Sequence, residues 1–135
     1  MKNRREFLET AAAGALAAAL AGSAGGQTVN ESQPNRKWVV VTAINTAAEG
    51  KAEELKKELS TTAPPTREEP GCIVFDLYQS SKDKNLFLRF EIWTDEESLN
   101  RHSEMPHVKA SRVRRAEKKL TAAPVQGIIW TKVDG

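Results

Sequence analysis

Cysteine is almost missing from this 135-residue chain: Cys72 stands alone. One thiol cannot close an internal disulfide, so no covalent framework holds the fold. Beside Ile73, in a strand-like run, it reads as a buried and inert thiol; a reactive thiol or an intermolecular bridge is the other reading. Histidine is also scarce, with only His102 and His107. One Cys and two His do not complete the four ligands of a structural zinc site, and no metal is expected. Neither sign of charge dominates: 20 Lys and Arg stand against 18 Asp and Glu, a net +2. Most basic residues have acidic neighbours, as in Glu53, Glu54, Lys56, Lys57 and Glu58. That pattern describes a solvated surface and excludes a nucleic-acid footprint. The one basic cluster, Lys109, Arg112, Arg114, Arg115, Lys118 and Lys119, falls on a predicted helix and reads as a solvated face. No internal repeat is visible.

Long apolar runs are missing too. The stretch from Thr10 to Ala24 is built of Ala and Gly rather than Leu and Ile. It is shorter than the ~20 apolar residues a bilayer span needs, so no stable membrane anchor is expected. A charged start, a short apolar middle and small residues near a cut site describe a removable leader. Arg4-Arg5-Glu6-Phe7-Leu8 ahead of that run resembles the twin-arginine export signal of bacteria. The expectation is a leader over residues 1–26, a polar linker over 27–36, and one domain over 37–135, in a protein that is periplasmic or secreted.

The domain alternates between two periods. Lys37 to Ile44 is rich in β-branched residues and predicts a strand. From Gly50 to Leu59 the apolar positions Ala52, Leu55 and Leu59 recur at helical spacing, and Pro64-Pro65 should stop that helix. Pro70-Gly71 signals a turn. Cys72–Gln79 and Leu86–Trp93 predict two strands joined by a polar hairpin connection. In the second, Leu86, Leu88, Phe90 and Ile92 form an apolar face expected to meet the helices. Phe87, Arg89, Glu91 and Trp93 form a mixed face expected to meet water, a partner or a ligand. Thr94 and Glu97 read as a capping box opening a helix through His102. Pro106 interrupts, and a second stretch carries Val113, Ala116 and Leu120 as its stripe. Gln126–Val133 predicts the last strand. The order strand, helix, strand, strand, helix, strand predicts an α+β, ferredoxin-like βαββαβ fold. One antiparallel sheet with helices on a single face leaves its other face bare, which favours a homodimer.

Four motifs carry a family resemblance: Glu69-Pro70-Gly71-Cys72, Phe75-Asp76-Leu77-Tyr78, Phe90-Glu91-Ile92-Trp93, and His102-Ser103-Glu104-Met105-Pro106-His107. Over about Lys37 to Val133 the chain resembles the antibiotic biosynthesis monooxygenase family of dimeric α+β barrels. The resemblance implies oxygenation of a small, electron-rich aromatic such as a quinol, without metal, flavin or other cofactor. It also implies a homodimer. A non-catalytic small-molecule-binding or stress-response dimer is the alternative. The family's haem-degrading branch fits less well. Trp93 matches its strand-end Trp, but Ala43 and Ser111 stand where an Asn and the iron-ligating His are expected.

Each candidate residue has two readings. His102, one helical turn from Leu99, is either a general base toward a phenolic hydroxyl or a histidine that packs its helix on the sheet. Asn45 is either an oxyanion partner or a turn former, and Arg89 is the other candidate for the oxyanion. Trp93 and Phe87 are pocket walls, or else core or dimer contacts. Glu91 is a substrate contact or an ion pair with Arg89 or Arg67. His107 either touches substrate or orders the kink at Pro106. Tyr78 completes the expected substrate-binding set.

Overall fold

The computed structural model describes residues 37–134, so the expected leader and linker lie outside the described residues. The chain forms β1 (Val39–Thr46), α1 (Ala52–Ser60), α2 (Ala63–Arg67), β2 (Cys72–Gln79), β3 (Leu86–Trp93), α3 (Glu96–Ser103), α4 (Pro106–Glu117) and β4 (Gln126–Trp130). The strands make one sheet in the order β2-β3-β1-β4, with every neighbouring pair antiparallel. This is the α+β ferredoxin-like arrangement. Among the described residues, no helix is long and apolar enough to cross a membrane.

The helices cover one face of the sheet. Leu55 and Leu59 of α1 pack with Ala47, Phe87 and Leu120. Ala63 of α2 packs with Val41, Phe75 and Trp93. The alternation within β3 is as expected, but its sides are reversed. The mixed face of Phe87, Arg89, Glu91 and Trp93 meets the helices, because its polar groups satisfy one another there. Glu91 accepts from Arg89 Nε at 2.7 Å and from Trp93 Nε1 at 2.9 Å. Leu86, Leu88 and Phe90 lie on the other face with Val40, Thr42 and Ile44 of β1. Tyr78, Ile128 and Trp130 extend that face and are among the most exposed large hydrophobic residues of the domain.

Local chemistry follows the simplest expectations at the prolines and at the Gly71 turn, and departs from them at the α3 cap, the α4 stripe and the end of β4. α1 ends at Ser60, short of Pro64 and Pro65 as expected, and the two prolines occupy the first turn of the separate α2, where a missing N–H costs nothing. The cap of α3 is Asp95, whose carboxylate accepts from Ser98 N at 2.8 Å, one residue later than the expected Thr94 box. On α4 Ser111 is fully buried and Val113 is half exposed, so the expected apolar stripe is displaced. β4 ends at Trp130, not Val133. Gly71 has φ +89, and a Cβ there would lie 2.1 Å from Ser98 Oγ and 2.5 Å from Ser98 Cβ. Glycine is therefore required both by the backbone and by the close approach of α3.

Candidate functional site

The turn before β2 places Glu69 under α3 and α4. Its carboxylate is buried and meets both histidines of the chain. His102 Nδ1 lies 3.0 Å from Glu69 Oε2 and 3.2 Å from Oε1. His107 Nε2 lies 2.9 Å from the same Oε2 and 3.0 Å from Thr66 Oγ1. An ionised carboxylate only accepts, so beside it a neutral His102 carries its proton on Nδ1 and keeps the electron pair of Nε2 free. The His102 ring stacks at 4.8 Å, tilted, on Trp93 and meets Phe75 edge-on at 5.6 Å. Trp93 is itself fixed by its hydrogen bond to Glu91. The imidazole is thus held on three sides.

Its remaining side faces a cavity of about 310 Å³ between sheet and helices. The apolar lining is Leu59, Phe75, Val108 and Val125; the polar lining is Thr62, Arg89, His102, Ser111, Arg112 and Arg115. That combination of an apolar wall with several polar and charged groups suits a small polar organic ligand. Arg89 also lies over the Phe75 ring, 5.7 Å from its centroid. Arg115 donates to Asn45 Oδ1 at 3.3 Å. Asn45 Nδ2 and Ser111 Oγ are buried without a hydrogen bond of acceptable geometry. Burial, followed by the nearby charges of Arg89 and Arg112, holds the Arg115 guanidinium below its ordinary pKa. Burial likewise pushes the Cys72 thiol up, with Glu69 and Glu91 adding to it, which disfavours the reactive thiolate.

The structure unites His102 and Arg89 at the cavity and sets Asn45 behind Arg115. Asn45 lies inside β1 and is fully buried, so it does not form a turn. All five residues of the expected substrate-binding set lie away from this cavity. Phe87 is locked in the core with Leu55 and Leu120 and does not line the cavity. Tyr78 points to the opposite face of the sheet, 45% exposed. Glu91 is occupied by Arg89 and Trp93, the ion-pair reading, while Arg67 instead serves Phe75 O and Asp76. Trp93 backs the histidine without reaching the cavity. His107 joins the carboxylate and not the cavity.

Glu69 and Arg115 were the residues not singled out from sequence. The Glu-Pro-Gly turn was the available signal for Glu69. Arg115 was hidden in a basic cluster that read as solvated. Histidine counting also missed that a carboxylate completes a cluster: the donor atoms of Glu69, His102 and His107 all lie within 4.8 Å of one another. Two imidazoles and a carboxylate can hold a divalent cation.

The family model for antibiotic biosynthesis monooxygenases matches residues 38–114, more than half of the chain. The chain belongs to that family. Members of the family are monooxygenases. Among solved structures, PA3566 of Pseudomonas aeruginosa is 33% identical, with a TM-score of 0.65 over 72% of this chain and 95% of that one. SnoaB of Streptomyces nogalater, a cofactor-independent oxygenase, matches 73% of this chain and 95% of its own with a TM-score of 0.61. At 18% identity that second likeness is one of fold. A protein of Synechocystis, sll1783, is 37% identical over 57 residues, 42% of this chain and 39% of its own length. The matched stretch thus spans about two fifths of that relative.

Proposed function

We propose that this family member is a cofactor-independent oxygenase of small electron-rich aromatics, with His102 as general base. One observation carries this reading: Glu69 holds Nδ1 of His102 at 3.0 Å, while Nε2 makes no hydrogen bond and the ring lines the cavity. A base so oriented removes a proton from a phenolic hydroxyl or an activated ring carbon. The resulting anion is electron-rich enough to reduce O₂ directly. The carbon takes up O₂ as a hydroperoxide and then loses water, leaving a carbonyl. One oxygen atom enters the product and the other leaves as H₂O, with the substrate supplying both electrons. Arg89 stands at the cavity to stabilise the anion. Phe75, Leu59, Val108 and Val125 supply an apolar wall for the ring.

The site belongs, in this reading, to a homodimer that buries the open apolar face of the sheet, and the export leader places it in the periplasm or outside the cell. Oxygen uptake with a panel of quinols and anthrones tests the activity. Uptake that falls by ~10²–10⁴ in His102→Ala, with the circular dichroism unchanged, supports it. A folded His102→Ala variant with the full rate removes His102 as the base. Inertness of the native protein across the panel favours a binding protein.

A further inference from the structure

Three of the ten residues lining the cavity are arginines, and none is Asp or Glu. The neighbouring carboxylates are already engaged. Glu91 takes Arg89 at 2.7 Å. Glu58 takes Arg114 through contacts of 3.0, 3.1 and 2.8 Å. Glu69 takes the two histidines. Arg115 has only neutral partners, Asn45 Oδ1 and Ser111 O, each at 3.3 Å. Arg112 forms no ion pair among the described residues, and its charge bears on Arg115. Neither Arg112, which is exposed, nor half-buried Arg115 makes a direct ion pair among the described residues, although the charge of Glu58 reaches Arg115. Beside them is Ser111 Oγ, fully buried and without a hydrogen bond of acceptable geometry, with the Glu58 carboxylate as its nearest charged neighbour. A half-buried guanidinium whose direct partners are all neutral, set beside a second guanidinium at the cavity wall, favours an anion that completes it.

We propose that Arg112, Arg115 and Ser111 form the binding site for a carboxylate carried by the aromatic substrate. The proposal rests on the oxygenase reading for what happens next at His102, but not for the binding itself. A guanidinium offers a planar fork that matches a carboxylate, and a serine hydroxyl can donate to the same oxygens. The ring would then lie along Phe75, Leu59 and Val108, which also line the cavity, as does His102. Arg89 is left for the anion formed by deprotonation, its charge already shared with Glu91. The fixed charge of the substrate and the transient charge of the reaction are thus met by different arginines.

The test uses a matched pair of probes, 1,4-dihydroxy-2-naphthoate and its methyl ester, titrated calorimetrically under anaerobic conditions. The acid should bind at least ~tenfold more tightly than the ester, because charge-assisted hydrogen bonds are the stronger class. Arg115→Met and Arg112→Met should each shrink that ratio, and the double variant should bring it within ~twofold. Arg115→Lys, which keeps the charge and loses the fork, should retain part of the preference. His102→Ala should leave the ratio unchanged. Equal affinity for acid and ester in the native protein overturns the carboxylate site, as does a ratio that survives in the folded double variant. Preferred binding of the acid with no oxygen uptake in air overturns the oxygenase reading and leaves the site standing.

Discussion

Nδ1 of His102 lies 3.0 Å from Oε2 of Glu69, a residue 33 positions earlier on a different element. The contact fixes which ring nitrogen carries the proton and which is free to accept one. Removing the acceptor should therefore act on chemistry more than on binding. Glu69→Gln presents an amide that can donate to Nδ1 as easily as it accepts. Oxygen uptake should lose at least ~tenfold in kcat with little change in KM. Nitrogen-15 NMR of the native protein should show the proton on Nδ1. A proton on Nε2 would sink the orientation argument.

The open face of the sheet makes the second prediction. Leu88 and Phe90 lie half-buried on it, alongside exposed Ile128 and Trp130. Apolar patches of this kind on small domains mark an interface. Sedimentation of the chain from about residue 27 onward should give twice the monomer mass. Leu88→Glu should give a monomer. A native monomer at micromolar concentration would count against a barrel of two sheets.

Gly71 makes the third. Its positive φ and the 2.1 Å approach of Ser98 Oγ leave no room for a methyl group. Gly71→Ala should cost at least ~2 kcal/mol in urea unfolding, from backbone strain and displacement of α3 together. It should also lower activity, because the turn carries Glu69 and α3 carries His102. An unchanged unfolding midpoint would refute the close packing.

Acid stability follows from Glu58. The hydrogen bonds from Arg114 are the main cause that holds its carboxyl below the ordinary range. A carboxyl with a lower pKa when folded stabilises fully above its unfolded value of ~4.3. That contribution is lost as pH falls through the lower folded value. Asp95 shifts the same way, chiefly through the N–H of Ser98. Urea unfolding should therefore weaken below about pH 4.3, and Glu58→Gln should flatten the slope. Equal slopes in both proteins would place the acid sensitivity elsewhere.

Zinc gives the fifth. A cation held by Glu69, His102 and His107 must take Nδ1 of His102, the atom committed to Glu69. That would force the proton onto Nε2 and abolish the base. Added Zn²⁺ should therefore inhibit oxygen uptake, and a chelator should leave the native rate unchanged or raise it. Activity lost to chelation and restored by metal would replace this mechanism with a metal-dependent one.

The sequence revealed periods better than sides. The strand β3 alternates as expected, yet its apolar half faces away from the helices. A rule that sends mixed faces outward fails when Arg89, Glu91 and Trp93 satisfy one another internally. Tyr78 was misplaced for a related reason, since an aromatic on a polar-looking strand face gives no hint that the face turns away from the helices. His102 was legible because its helix spacing from Leu99 turned it inward. Its partner was not, because Glu69 reaches it only through the turn that packs Gly71 on Ser98. The cavity's arginines were hidden for a third reason: on one helix, Arg114, paired with Glu58, and the cavity-lining Arg115 are adjacent, and charge counting cannot separate them.

The contact between Gly71 and Ser98 joins the segments that supply Glu69 and His102, whereas Ser111, Arg112 and Arg115 all come from α4. Under the proposed roles, reactivity and selectivity are encoded in separate stretches of the gene. A lineage can drift from one aromatic acid to another by altering three neighbouring codons while its proton-abstracting machinery stays untouched. The same modularity makes α4 the place to begin redesigning this scaffold for a different molecule.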